Sequence, residues 1–247
     1  MSDLPGSVTQ VTGHPTATTV ARAAAAGDPA ANPWLSWEYV QRNWGDISRA
    51  LEQHAGLTVQ AVLIACLIAL PLGMLAHLRP RLAAPLVGTT GVLYTIPSLA
   101  LFTVLVPWTG IGRTPVLVGL VLYALLVLVR NVLVGLAGVD DSVRDAARGL
   151  GYGRLRLLLT VELPNALPAI VTGIRLATVT TVALVTVGVV VGYGGLGNLM
   201  FRGFRNNKYH AEILTATLLC LALALVLDLL LWLIGRAVTP WARGREA

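Results

Sequence analysis

The sequence predicts an all-α integral membrane protein with about five transmembrane helices. Three observations carry that prediction. The chain is 55% hydrophobic and 12% charged, whereas a soluble domain carries about 25% charged residues. Its apolar residues gather into uncharged stretches of about 20 residues, enough to cross a hydrocarbon core of about 30 Å. Its basic residues sit beside those stretches, and all but Lys208 are arginines.

The elements follow in order. Residues 1–33 are rich in Ala, Thr, Gly and Pro without an apolar period, the composition of a disordered arm. No basic segment precedes an apolar one there, as a cleavable signal peptide requires. Residues 34–55 carry Trp37, Val40, Trp44, Ile47 and Leu51 at helical spacing, with Ser36 as N-cap and Glu38 in the first turn. With Trp34 they form either an amphipathic helix lying in the membrane interface or a stripe packed on the other helices. The membrane domain, residues 56–236, begins with a span at 57–76. A second span at 82–108 is broken near Thr95-Ile96-Pro97-Ser98, because proline removes a helical hydrogen bond. Such a break is tolerated only where the freed backbone faces protein or a cavity. The third span is 115–136, the fourth 167–191, and the fifth 213–234; a glycine-rich loop fills 192–209 and a tail 237–247.

Arginines orient the chain. Arg79, Arg81, Arg144, Arg148, Arg154, Arg156, Arg236, Arg243 and Arg245 fall in short segments on one side, which the positive-inside rule makes cytoplasmic. The N-terminus is then outside and the C-terminus inside. Arg202, Arg205 and Lys208 lie on the opposite side, an exception to the rule. Three charges fall within spans: Arg130, Arg175 and Asp228. All lie at a similar depth, roughly 10–12 Å from the cytoplasmic edge at 1.5 Å per residue. A charge in hydrocarbon needs a partner, so Asp228 is expected to pair with one of the arginines. Snorkelling of the arginines to the interface and a direct role towards a transported substrate are the competing readings.

Several chemistries are excluded. A phosphate-cradling G-x-x-x-x-G-K-[ST] loop cannot exist when the one lysine, Lys208, follows Asn206-Asn207. Neither a metal site nor a cofactor is expected on this chain, since His14, His54, His77 and His210 are scattered and no two share a metal-binding spacing. Cys66 and Cys220 lie in apolar runs as small hydrophobes. The net charge of +6 forms no basic stripe with aromatic platforms, so nucleic acid is not a partner.

Residues 140–168, DDSVRDAARGLGYGRLRLLLTVELPNALP, are a polar insertion between two spans. Asp145-Ala146-Ala147, then Gly151, then Val161-x-Leu163-Pro164 stand at the spacing of the EAA---G---------I-LP motif. The segment resembles the cytoplasmic coupling loop of ABC-importer permeases, with Asp145 in place of glutamate and Val161 in place of isoleucine. Leu163-Pro164 is expected to open a new helix, since proline suits a first helical turn. Tyr94-Thr-Ile-Pro-Ser-Leu-Ala-Leu101, Gly110-Ile-Gly112 with Pro115, Arg130-Asn131, Gly173-Ile-Arg175 and Gly192-Tyr-Gly-Gly-Leu-Gly197 are similar to segments of one branch of that family. That branch comprises the permeases for glycine betaine, carnitine, choline and related quaternary amines.

The resemblance implies a type I ABC-importer permease fold and a set of partners. Two permease chains, identical or different, would enclose the pathway in a bacterial cell membrane. Each would dock its coupling helix, about residues 141–151, on a separate ATPase subunit that holds ATP and Mg. An extracytoplasmic binding protein would deliver a small quaternary amine. Arg144, Asp145, Ala146, Ala147, Arg148, Gly151, Leu163 and Pro164 are the implied coupling residues. Ala146, Ala147 and Gly151 would allow close approach, and Arg144 and Arg148 could pair with acids of the partner. Tyr94, Pro97, Ser98, Tyr193 and also Tyr123 are candidates to line or gate the pathway, with ordinary packing as the competing role. A methionine- or sulfonate-type importer, an ion-driven carrier or channel, and a membrane scaffold are the alternatives.

Overall fold

The computed structural model describes residues 32–241. The arm at 1–31 and the last residues of the tail, with Arg243 and Arg245, lie outside them. The elements are α1 (Trp37–Arg42), α2 (Trp44–Leu78), α3 (Ala83–Thr95), α4 (Ser98–Thr109), α5 (Arg113–Ala137), α6 (Asp141–Gly149), α7 (Arg154–Leu157), α8 (Leu163–Val187), α9 (Leu196–Arg205) and α10 (His210–Val238). Among the described residues, four helical stretches are long and apolar enough to cross a membrane. The pair α3–α4, bent by 96°, supplies a fifth when taken as one broken span.

α2, α5 and α8 pack on one another to form the centre of the bundle. On α2, Ala61, Ala65 and Ala69 are fully buried, one turn apart on a single face. Leu63 and Leu67, on another face, are exposed. Small residues let helix backbones approach where lipid supplies no hydrophobic drive for association. Gly173 of α8 meets α5 the same way: any Cβ there would collide with Asn131. α10 packs on α8 and α9 yet keeps most of its leucines exposed. An apolar outer surface of this kind suits lipid.

The break in the second span falls where proline places it. Ser98 opens α4 directly after Pro97, which stands in the N-cap position. The Tyr123 hydroxyl of α5 donates to the Ile96 carbonyl freed by the bend, so the interrupted backbone is satisfied inside the protein.

Two expectations are corrected and a third is refined. Residues 34–55 do not form a separate interfacial helix: after the short α1, residues 44–55 continue α2 into the first span without interruption. At 35 residues α2 is about 52 Å long, and its first turns extend beyond the hydrocarbon. Of the stripe, Val40, Ile47 and Leu51 join a core cluster with α9 and α10, leaving Trp34, Trp37 and Trp44 exposed. The supposed loop at 192–209 contains α9, because Leu196 and Leu199 bury one face of a helix against that cluster. Leu163-Pro164 opens α8 as expected, with the proline in its first turn, but α8 does not begin from a loop. Helical backbone runs into it from α7 through a π turn at Leu158–Glu162. Pro164 lacks an N–H, and its ring would strike the carbonyl four residues back; the widened turn just before it relieves both.

Candidate functional site

The polar segment between α5 and α8 folds as a short helix resting on the π turn. Asp140 caps α6 by accepting a hydrogen bond from the Ser142 amide at 2.8 Å. The other end closes with two reverse hydrogen bonds, from the Tyr152 amide to the Ala147 carbonyl at 3.1 Å and from the Gly151 amide to the Arg148 carbonyl at 2.9 Å. That pattern is a Schellman cap, and Gly151 adopts the left-handed φ of +81° it requires. No atom lies within 4 Å of where a Gly151 Cβ would stand. Within the chain, then, glycine serves the turn.

α6 divides its residues between two faces. Asp145, Ala146, Arg148 and Leu150 are exposed, Leu150 at 78%. Asp145 and Arg148 form an exposed pair at 3.0 Å. Ala147 and Arg144 face the other way. Ala147 is buried and Arg144 is only 14% exposed, so neither is presented to a docking partner as expected.

Each of the three Arg144 guanidinium nitrogens already donates a hydrogen bond within the chain. They donate to Asp141 Oδ1 at 2.7 Å, Glu162 Oε1 at 2.9 Å and the Leu136 carbonyl at 2.6 Å. Burial works against the guanidinium charge, but the hydrogen bonds to Asp141 and Glu162 outweigh that and hold the group protonated above its ordinary range. The second oxygen of Glu162 takes His77 Nε2 of α2 at 3.0 Å. Glu162 is buried and was absent from the sequence-based set, as was His77. The signal that could have found it is an acidic residue directly before Leu163-Pro164 in an otherwise apolar run. Leu163 itself packs against the buried cluster that contains Val132, Leu136 and Leu158, and Pro164 is half-buried beside it.

A second cluster occupies the opposite end of α2. The His54 ring, fully buried, lies 2.9 Å from the Val182 carbonyl through Nε2 and 3.3 Å from the Leu196 amide through Nδ1. A carbonyl only accepts and an amide only donates, so Nε2 carries the proton. The glycine loop closes over this histidine: a Cβ on Gly195 would come within 2.8 Å of His54 Cβ. Nearby, Arg202 bonds the buried Glu212 and reaches Asp46 at 3.1 Å. Those partners outweigh burial and hold its guanidinium protonated above the ordinary range. Arg202 therefore has a structural reason to be on that side.

Of the charges inside spans, Asp228 pairs with Arg175 through both oxygens, at 2.8 and 2.7 Å. No carboxylate pairs with Arg130 among the described residues; it is exposed, with a guanidinium nitrogen 3.9 Å from where a Gly91 Cβ would sit. Four of the candidate gate residues, Tyr94, Pro97, Ser98 and Tyr123, gather at the bend between α3 and α4. Tyr94 stacks edge-on against Tyr123 with centroids 5.5 Å apart, Tyr123 being buried and Tyr94 half-exposed. Pro97 and Ser98 form the bend, and Tyr193 packs against the bundle core.

Known proteins resemble this chain in sequence and in fold. The carnitine transport permease protein OpuCB of Listeria monocytogenes is 34% identical over 205 residues, 83% of this chain and 93% of its own. The osmoprotectant import permease protein OsmW of Salmonella typhimurium is 38% identical over 207 residues, 82% and 96% of the two chains. The choline transport system permease protein OpuBB of Bacillus subtilis is 31% identical over 204 residues, 82% and 93%. Among solved structures, a chain of the inward-facing MetNI methionine ABC transporter superposes with a TM-score of 0.73 at 24% identity, covering 78% of this chain and 96% of that one. The model of the binding-protein-dependent transport system inner membrane component matches residues 59–244, and this multi-pass membrane protein belongs to that family.

Proposed function

We propose that this chain forms the translocation pathway of an ATP-driven importer for quaternary-ammonium osmoprotectants of the glycine betaine, carnitine, choline and proline betaine class. The observation that carries the substrate class is sequence relatedness over nearly the whole permease domain. Relatives at 34% and 38% identity are named for carnitine and osmoprotectant transport. The methionine reading has a fold likeness at 24% identity behind it, which speaks for architecture alone.

In this reading a second permease chain completes the pathway, and ATP and Mg sit on separate ATPase subunits. An extracytoplasmic binding protein presents the amine. The coupling segment, residues 140–168, is cytoplasmic, the N-terminus outside and the C-terminus inside. Support comes from Arg79, Arg81, Arg144, Arg148, Arg154, Arg156 and Arg236, all placed next to span ends. The docking surface is the exposed face of α6: Asp145, Ala146, Arg148 and Leu150. Its small central residue allows close approach, its opposed charges can re-pair across an interface, and Leu150 is an apolar anchor. ATP-driven closure of the ATPase pair would move α6 and bias the bundle between two states, as alternating access requires.

The test is competition uptake. The chain, its ATPase and its binding protein are expressed in cells lacking their own betaine importers, and labelled glycine betaine is supplied. Saturable uptake competed by carnitine or choline and indifferent to methionine is expected. Uptake blocked by methionine alone, or persisting without the ATPase, would overturn the reading.

A further inference from the structure

We infer that Glu162 is the joint through which movement of α6 reaches the membrane helices, and that α2 carries it to the far side. This inference rests on the importer reading above. Glu162 is a positioning residue: it touches neither nucleotide nor amine. Its side chain is 6% exposed and its two oxygens are divided between Arg144 of α6 and His77 near the end of α2. Arg144 extends the cluster to Asp141 and to the Leu136 carbonyl at the end of α5. One carboxylate thus ties α2, α5, α6 and the π turn before α8 into a single body. Arg144 is the one arginine of α6 turned inward, so the helix is held by charge on one face and free on the other. An ion pair this enclosed resists separation, because parting it strands a buried charge. Displacement of α6 therefore drags its partners and does not slide past them.

The second observation is at the other end of α2. His54 is 23 residues before His77, about 35 Å along the axis. Its ring spans from α8 at Val182 to the start of α9 at Leu196. Gly195 lies against it without room for a Cβ, so the loop has no slack with which to absorb a shift of α2. A helix held by the buried His54 towards one end and by the partly buried His77 at the other, with packed alanines between, acts as a tie-rod. Packed cores switch between arrangements and do not deform continuously. The closure imposed at α6 is accordingly felt at the glycine loop.

The experiment uses the whole transporter in liposomes, with its ATPase and a betaine-loaded binding protein. Glu162→Gln removes the charge and keeps the shape. Arg144→Lys keeps the charge and loses the planar fork that reaches three acceptors at once. Both variants are expected to co-purify with the ATPase in wild-type amount. The ratio of ATPase rate with and without loaded binding protein should fall by about fivefold or more, the lower range of allosteric coupling. Uptake should fall with that ratio, and Glu162→Asp, which restores the charge, should recover part of it. A merely structural cluster would lower yield without changing the ratio per assembled complex. Stimulation and uptake within about twofold of wild type in both variants, below the usual span of coupling, would overturn the inference. Loss of the ATPase from both would overturn it too, marking the cluster as a folding element of α6. A wild-type complex that neither holds the ATPase nor responds to loaded binding protein would instead sink the importer reading, and this inference with it.

Discussion

Gly151 separates two explanations of a motif glycine. Its left-handed φ closes the Schellman cap of α6, and within the chain its missing side chain opens onto empty space. An ordinary L residue in that conformation costs roughly 1–2 kcal/mol, while asparagine tolerates it best. Gly151→Asn is therefore expected to retain most uptake and Gly151→Val to lose it, both measured per amount of membrane-inserted protein. Equal loss in both would mean that close approach of a partner is what excludes a side chain. The motif spacing made the glycine legible, but its backbone role became visible only with the cap. Arg144 and Arg148 differ in the same way. They are the same residue type one turn apart, and nothing local says that one is sealed against Glu162 while the other meets solvent. The choice depends on a carboxylate 18 residues away.

Among the helices, α8 and α10 are joined by the Arg175–Asp228 pair. Depth from the span ends placed both charges at one level, so a pairing was legible; that Arg175 and not Arg130 is the partner depends on α10 packing beside α8. Breaking such a pair leaves one charge stranded, whereas replacing both members by apolar residues is often tolerated. Asp228→Asn is expected to lower the yield of folded protein at least about twofold, a loss of the size that stranding a charge in a membrane can produce. The double change Arg175→Met with Asp228→Leu should restore it. Size-exclusion profiles of detergent extracts decide the matter, and a double variant no better than the single one would argue against a structural pair. The bend between α3 and α4 was legible from Pro97, a covalent property of one residue. Its support, Tyr123, is 27 residues away and reads in sequence as one more aromatic residue in a span.

Across the bundle, hydropathy does not separate inside from outside, and along the membrane part of α2 the difference is side-chain size. Ala65 is fully enclosed where α2, α5 and α8 meet, and Leu67 is 75% exposed on the same helix. Ala65→Leu forces extra volume into the contact, at about 1–3 kcal/mol. Leu67→Ala removes a side chain that is largely free of contacts within the chain. The first should lower the melting temperature of the detergent-solubilised protein by several degrees, on the usual conversion of about 2–4 °C per kcal/mol for a chain of this size. The second should leave it nearly unchanged. Similar melting of both would mean that the alanine face is not a packing seam.

Hydropathy located the spans, proline the break, and motif spacing the polar segment, because each is a property of residues adjacent along the chain. Hydropathy could not say which helices touch, since lipid is as apolar as a protein core. The three central helices, the seam of alanines and the exposed leucines of α10 therefore emerge only with the fold. So do the pairings that matter most for the proposed mechanism. Glu162 and His77 are separated by 85 residues, and His54 and Val182 by 128. Their meeting depends on which helices become neighbours, a choice made by long-range packing that no local pattern records.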